Sequence, residues 1–193
     1  MTARPASAAD VDRVAQLHAA RINEGFLTSL GVPFLHRLYR RVLRAPDAFI
    51  IVEESEHEVV GFVAGVADLG ALYRSFMIRD GALGALRAAP RLLRAIPRVV
   101  ETMRYPNATA DLPDAEILAV AVAADHGGRG IGRQLVDAAT TAFRARGVDA
   151  AKVVTTSDNP AALAMYRACG FVSSAEVEVH AGRESEVLVW TAS

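Results

Sequence analysis

A glycine-rich turn in the second half of the chain is the first feature that points to chemistry. The sequence DHGGRGIG occupies residues 125–132, after the apolar run AVAVAA and before a helix-forming segment. Glycines let the backbone turn tightly and bring several N–H groups together, and a helix N-terminus adds roughly half a positive charge. Such a turn suits a phosphate or pyrophosphate, although glycine content alone is explained equally well by an ordinary structural turn.

Two familiar phosphate motifs do not fit this turn. Gly127 and Gly132 have the spacing of a Walker A loop, but Arg133 stands where that loop has its phosphate-binding Lys. Gly130 and Gly132 begin a dinucleotide-binding fingerprint, yet Leu135 occupies its third glycine position. The sequence therefore excludes both motifs.

A second element lies further along the chain, where residues 159–171 read NPAALAMYRACGF. Together with the turn, it resembles the GCN5-related N-acetyltransferase (GNAT) superfamily. In that family a strand, the turn Gln/Arg-x-x-Gly-x-Gly/Ala and a helix precede a strand and Asn-x-x-Ala-x-x-x-Tyr-x-x-x-Gly-Phe. Both halves occur here in order, and the match is close from Glu116 to Phe171. One position departs: Gly127 stands where the family usually has Gln or Arg, so that side-chain contact to the pyrophosphate is missing.

The resemblance implies acetyl-CoA, or another acyl-CoA, as the acyl donor. It places the pyrophosphate on the N–H groups of the turn and pantetheine along the fourth strand, where a backbone N–H would polarise the thioester carbonyl. Arg129 or Arg133 would supply charge that Gly127 lacks. The residues implied to bind the cofactor are Val120, Ala121, Val122, Gly127, Gly128, Arg129, Gly130, Ile131, Gly132, Arg133, Asn159 and Tyr166.

Tyr166 matches the family position that protonates the departing CoA thiolate. A phenol with a pKa of about 10 is protonated at neutral pH and can donate to a developing thiolate. Tyr166 is also three residues from Leu163 and four from Gly170, a spacing that places them on one face of a helix. The alternative is therefore that its ring only packs in the core. Asn159, followed by Pro160, predicts a helix N-cap, and in the family the same residue can contact the cofactor.

The family's acceptor is a primary amine, which benefits from a base. An amine with a pKa near 10.4 is only about 10⁻³ to 10⁻⁴ free base at pH 7. Glu116, at the start of the fourth strand, is our candidate base, acting directly or through water. Asp114 competes with it, His126 is a further candidate, and Glu116 can equally be a solvated residue. The candidates for binding the acceptor are Glu24, Phe26 and Tyr73.

The elements around these motifs predict an α/β fold. Apolar periodicity gives the order strand, two helices, three strands, helix, strand, helix and two strands. Hairpins at both ends of the chain and parallel crossovers in the second half imply a mixed sheet. The resemblance implies a GNAT-like, largely antiparallel sheet of about six to seven strands, flanked by helices and splayed between the fourth and fifth strands.

The length of 193 residues favours a single domain. The main departure from a compact plan is a helical, Arg-rich insertion at about residues 69–113. Residues 70–108 carry seven Arg against two acidic residues, a net +5, although the whole chain has a net charge of −1. These arginines could meet an anionic acceptor, the cofactor phosphates or a partner chain, or remain solvated.

Composition narrows the classes of partner, metal site and cellular location that this chain can have. The near-zero net charge gives no reason to expect a nucleic-acid partner. A single Cys excludes intramolecular disulfides and thiolate zinc sites, and we expect no metal. The chain has neither a signal-peptide core nor an apolar run of membrane-spanning length, so we expect a soluble, cytoplasmic protein without a membrane span. A homodimer is compatible with the sequence.

The sequence therefore predicts an N-acetyltransferase that moves an acetyl group from acetyl-CoA to a primary amine of a small molecule or peptide by direct attack. The alternative is a non-catalytic acyl-CoA-binding or regulatory module of the same fold, which the substitution at Gly127 leaves open. A nucleic-acid partner bound by the Arg-bearing insertion is a third, weaker alternative.

Overall fold

The computed structural model describes residues 2–22, 30–76, 112–180 and 183–192. Within these ranges the chain forms seven strands and five α-helices. The strands are β1 (Thr2–Pro5), β2 (Ala48–Ser55), β3 (Glu58–Val66), β4 (Glu116–Val122), β5 (Ala150–Thr156), β6 (Val172–His180) and β7 (Arg183–Thr191). The helices are α1 (Val11–Arg21), α2 (Val32–Arg44), α3 (Leu69–Phe76), α4 (Ile131–Arg144) and α5 (Pro160–Ala168).

Local sequence explains where several elements begin and turn. Pro33 lies in the first turn of α2, where its fixed φ suits the helix and its missing N–H is not needed. Leu35 and Tyr39 recur on the buried face of that helix. The β2–β3 hairpin turns at Glu56 and His57, whose φ values of 53° and 67° are those of a type I′ turn that matches the twist of the strands.

The strands form one sheet in the order β1-β2-β3-β4-β5-β7-β6. All neighbouring strands run antiparallel except β4 and β5, which are parallel. The prediction of a mixed, largely antiparallel GNAT-like sheet is therefore confirmed. The crossover through α5 leaves room for β7 to insert between β5 and β6, so the last three strands are not in sequence order.

The two faces of the sheet bury two separate apolar clusters. One cluster packs α1 and α2 against residues such as Phe62 and Ala119. The other packs α4 and α5 against residues such as Val63 and Ile117. Ile117 and Ala119 are two apart yet face opposite clusters, because the register against β3 shifts between them and Leu118 is the extra, bulged residue.

Asp10 ties the first strand to the first helix. Its carboxylate accepts hydrogen bonds from Arg4 Nη1 (2.9 Å) and Nη2 (3.0 Å), and from the Ser7 N–H (2.7 Å) and Oγ (2.8 Å). The side chain is 8% exposed, and hydrogen bonding to the Arg4 guanidinium holds the pKa of this carboxyl well below its usual range. Arg4 also contacts Glu54 Oε2 at 2.8 Å, which connects this corner to β2.

Only the two ends of the predicted insertion belong to the described residues. Residues 69–76 form α3, and residues 112–115 lead into β4. The Leu69 N–H donates to the Asp114 carbonyl (3.2 Å), so the two ends of the insertion meet. The predicted Arg-bearing helix lies outside the described residues and stays a prediction.

Candidate active site

The glycine-rich turn joins the end of β4 to the start of α4. Residues Ala124–His126 form a short 3-10 turn, and α4 begins at Ile131. Gly128 and Gly130 have φ values of +73° and +79°, in the left-handed region that side chains disfavour. Glycine at these two positions is therefore a requirement of the backbone path.

The turn leaves a group of backbone donors at the N-terminus of α4. The first hydrogen bond recorded at the start of the helix runs from the Gln134 N–H to the Gly130 carbonyl (3.1 Å), so the N–H groups of Ile131, Gly132 and Arg133 have no acceptor within the helix. The Gly127 N–H instead donates to the Ala124 carbonyl (3.2 Å). The candidate phosphate-binding donors therefore follow Gly127 in the chain, and the helix dipole adds to their attraction for an anion.

Two arginines flank these donors. Arg129 and Arg133 are both exposed, and Arg133 Nε lies 3.9 Å from Asp137 Oδ2 one turn further along α4. Both side chains are exposed beside these donors, so their positive charge adds to the attraction of this turn for an anion.

β4 and β5 separate after a single residue pair. β4 pairs with β3 from Glu116 to Val122, whereas its parallel pairing with β5 is confined to Glu116 and Lys152. Beyond that pair, the β5-facing backbone groups around Val120–Val122 take no part in the described sheet. An extended chain can pair with an open strand edge of this kind. The predicted splay between the fourth and fifth strands is thus present.

Tyr166 is buried on α5, on the same face of the sheet as α4. The residue is 6% exposed, and its ring packs against Phe171 with centroids 5.6 Å apart. Burial raises the pKa of the phenol above its usual value, so the hydroxyl is protonated at neutral pH. No hydrogen bond of this hydroxyl is recorded within the described ranges. The ring therefore packs in the core, as the alternative role predicted, while its O–H remains available to donate.

The first turn of α4 and the helix α5 are packed tightly together. A Cβ at Gly132 would lie 2.7 Å from Met165 Sδ, so a larger residue at this position would displace the Met165 side chain. Cys169 Sγ lies 3.9 Å from the Arg133 carbonyl, and burial raises the pKa of its thiol to about 12. Asn159 caps α5 by accepting a hydrogen bond from the Ala162 N–H (3.1 Å), as predicted.

Glu116 lies on the opposite face from Tyr166. Its neighbours Ala115 and Ile117 belong to the α4–α5 cluster, so the side chain between them points toward the α1–α2 face. The carboxylate is 17% exposed, and Oε2 lies 3.7 Å from Lys152 Nζ. Burial raises the pKa of Glu116 to about 7, and the attraction of Lys152 opposes that rise. A carboxyl that titrates near neutrality is suited to accept a proton.

The competing bases are placed less favourably. The side chain of Asp114 is exposed to solvent. His126 Nδ1 lies 3.1 Å from Asp125 Oδ1 in the 3-10 turn before the glycines, where it pairs with its chain neighbour. Glu116, by contrast, is largely buried, and burial shifts its pKa toward neutrality.

The predicted acceptor-binding residues fall outside what the structure can test. Glu24 and Phe26 belong to residues 23–29, which are not among the described residues, and Tyr73 lies in α3 with its side chain outside the described part. All three stay predictions.

Sequence reasoning missed the contact between Lys152 and Glu116. The signal was present, because Lys152 is the only Lys in a chain with 20 Arg. Its significance depends on the β4–β5 pairing, which a pattern of apolar residues does not specify. The close packing of Met165 against Gly132 was also missed.

Two negative findings hold for the described residues. They contain no group of three or more His, Cys, Asp and Glu side chains arranged to hold a metal ion. No helix among them is long and apolar enough to cross a membrane.

Structures of known proteins share this architecture. A mutant form of the spermidine N-acetyltransferase SpeG from Vibrio cholerae aligns over 99% of this chain and 95% of its own, with 16% identity and a TM-score of 0.63. A ribosomal-protein-alanine N-acetyltransferase from Brucella melitensis aligns over 100% of both chains, with 17% identity and a TM-score of 0.66. The ribosomal-protein-S18-alanine N-acetyltransferase from Escherichia coli aligns over 98% of this chain and 92% of its own, with 11% identity and a TM-score of 0.64.

Sequence comparison adds the family. No curated protein sequence matches the chain. The family model described as the acetyltransferase (GNAT) family matches residues 17–171, which include both the glycine turn and the Tyr166 element. Because this match spans most of the chain, the protein belongs to the GNAT family of acetyltransferases, which are acyltransferases.

Proposed function

We propose that this protein transfers an acetyl group from acetyl-CoA to a primary amine of a small molecule or peptide, by direct attack of the amine on the thioester. The observation that carries the proposal is the open edge of β4. It runs from the base candidate Glu116 toward the backbone donors at the start of α4, and Tyr166 lies in the apolar cluster that packs α4 and α5 on the sheet.

The residues present fit acetyl-CoA. The free N–H groups at the start of α4 match a pyrophosphate, and the unpaired edge around Val120–Val122 matches the extended, amide-bearing pantetheine. When bound, acetyl-CoA supplies the acetyl group as a thioester. The chain contributes the alignment of that thioester along β4.

The proton path uses two residues on opposite faces of the sheet. A strand rises about 3.3 Å per residue, so Val120 lies roughly 13 Å along β4 from Glu116, and the Glu116 carboxylate must reach the amine through water. As the amine nitrogen bonds to the acetyl carbon, its proton passes to Glu116. As the carbon–sulfur bond breaks, the Tyr166 hydroxyl gives its proton to the departing sulfur. Solvent then carries the proton from Glu116 back to Tyr166, which balances the cycle.

The acceptor class follows the family and its structural relatives. Two of these relatives are named for spermidine and for an alanine of a ribosomal protein, and both are amines. A reducing compartment such as the cytoplasm suits Cys169, which is a free thiol.

Thiol release from acetyl-CoA in the presence of a panel of amines tests the proposal. The panel contains polyamines, aminoglycosides, amino acids, amino sugars and peptides, and calorimetry measures CoA binding in parallel. Release with at least one amine supports the enzyme. Tight CoA binding without release from any member of the panel would favour the non-catalytic acyl-CoA-binding module instead.

A further inference from the structure

Lys152 is unusual in both sequence and environment. The chain uses Arg at 20 basic positions and Lys only here. The residue is 4% exposed and lies in β5 between Ala151 and Val153, which face the α4–α5 cluster. Its side chain therefore points to the opposite face, toward Glu116. A buried ammonium is retained only where partners compensate the loss of water.

Lys152 holds the segment that leads into β4 at two points. Its Nζ donates to the Pro113 carbonyl, and its backbone N–H donates to the Ala115 carbonyl (2.9 Å). The intervening Asp114 carbonyl accepts from the Leu69 N–H (3.2 Å). Three consecutive carbonyls are thus fixed directly before Glu116, at the closed end of the opening between β4 and β5.

The Lys152 ammonium also acts on the Glu116 carboxyl. Nζ and Oε2 are 3.7 Å apart, and both groups are largely removed from water. A compact ammonium on a flexible stem reaches the Pro113 carbonyl and the Glu116 oxygen together, whereas the planar, forked guanidinium of Arg has a different shape. Burial alone would drive Glu116 to its neutral form, and the adjacent positive charge opposes this.

Among the side chains that the structure describes, Lys152 is the only charged group that acts on the Glu116 carboxyl. The β3 residues opposite the start of β4 are Gly65 and Val66, which carry no charge. The inward face of α1 contributes His18, which contacts Tyr39 Oη at 2.5 Å and whose pKa burial lowers to about 4, so it is neutral at neutral pH. The helix α4 packs on the other face of the sheet.

We propose that Lys152 is a positioning residue for Glu116: from β5 it fixes the backbone that leads into β4 and keeps the Glu116 carboxylate in its ionised, proton-accepting form. This proposal rests on the role proposed above for Glu116. It assigns Lys152 no contact with the substrate or the cofactor.

The first test uses the single lysine as a probe. Protein labelled with [15N]lysine gives one Nζ resonance, which is followed from pH 5 to 9 without substrates in the wild-type protein and in Glu116→Gln. The wild-type signal should move with a midpoint of about 7, as Glu116 titrates, and the variant should lack that step. A flat wild-type signal, or a step that persists in Glu116→Gln, would overturn the proposal. This test needs no variant of Lys152 to fold.

The second test is the pH dependence of kcat/KM in Lys152→Met and Lys152→Arg, with Arg146→Met as a control. Arg146 is an exposed cation that packs on Phe49, a member of the α4–α5 cluster, and so lies on the face of the sheet opposite the Glu116 side chain. Removing a charge this close should raise the midpoint of the acidic limb by about one to three pH units in Lys152→Met. Lys152→Arg should restore most of that shift, and Arg146→Met should show none.

The outcomes separate the two proposals. An active wild-type enzyme whose midpoint is the same in Lys152→Met overturns the role of Lys152 and leaves the acetyltransferase proposal intact. A fall in kcat/KM that is equal at every pH also overturns it, because a merely structural role produces that result. A wild-type protein that binds CoA and releases no thiol with any amine counts against the proposed function itself.

Discussion

Gly130 allows a sharp test of the glycine turn, because its substitution changes the backbone without creating a collision. Its φ is +79°, and a Cβ at this position would meet no described atom within 4 Å. Gly147, beyond the other end of α4, has a φ of +71° and equally open surroundings. An L-residue in the left-handed region costs about 1–2 kcal/mol, so Gly130→Ala and Gly147→Ala carry the same backbone cost.

The two variants differ in what that cost affects. In Gly130→Ala the free turn relaxes to a negative φ, and CoA must restore the left-handed geometry when it binds. A cost of about 1–2 kcal/mol corresponds to about a 5- to 30-fold increase in Kd. In Gly147→Ala the strained residue lies outside the proposed site, so the cost lowers the free energy of unfolding and leaves the Kd for CoA unchanged.

Isothermal titration calorimetry with CoA gives the Kd of the wild-type protein and both variants, and urea unfolding gives their stability. We expect weaker binding in Gly130→Ala alone. Equal Kd values in the two variants would refute the assignment of the turn to the pyrophosphate, whatever their stabilities.

Three further expectations concern the proton path and the fold. With a Glu116 pKa of about 7, the ionised carboxylate that accepts the proton is lost as the pH falls, so kcat/KM per free amine should drop about tenfold from pH 8 to pH 6. The same ratio should stay flat in Glu116→Gln, and a drop that persists in this variant would place the base elsewhere. Tyr166→Phe should lower kcat by about 10²-fold in the thiol-release assay with little change in the Kd for CoA, and full activity would remove Tyr166 as the acid. Asp10→Asn should lower the free energy of unfolding in urea by about 1.5–3 kcal/mol at pH 7, because hydrogen bonds to a charged group are lost. The control variant Asp12→Asn, at an exposed position, should change the free energy of unfolding by less than about 0.5 kcal/mol. A similar loss in both variants would contradict the role of Asp10. Since the pKa of Asp10 is held low, its advantage should shrink as the pH falls below about 4.

Elements defined by local sequence were predicted well. The glycines at 128 and 130 mark the turn because their positive φ is a local requirement, and the Asn159–Pro160 pair marks the start of α5 for the same kind of reason. β5 begins and ends where its β-branched run does. In each case the residues that determine the structure are neighbours in the chain.

Features that depend on distant residues were not predicted. The insertion of β7 between β5 and β6 depends on strand pairing. The alternation of apolar and polar residues predicts a strand, but it does not specify which other strand pairs with it. The bulge at Leu118 interrupts an alternating run, so the sequence of β4 alone does not reveal that Ile117 and Ala119 face opposite clusters. The contact between Lys152 and Glu116 joins residues from two strands that pair only once.

The bulge at Leu118 has a consequence for how this chain can change. It divides β4 into an early part, where Glu116 faces α1 and α2, and a later part, where Val120 and Val122 pack toward α4 and α5. Substitutions in α1 and α2 can reshape the surroundings of Glu116 without disturbing the cluster that holds Tyr166. Under the proposed function, acceptor preference and donor recognition can therefore diverge separately within one sheet, because mutations on one face leave the other face unchanged.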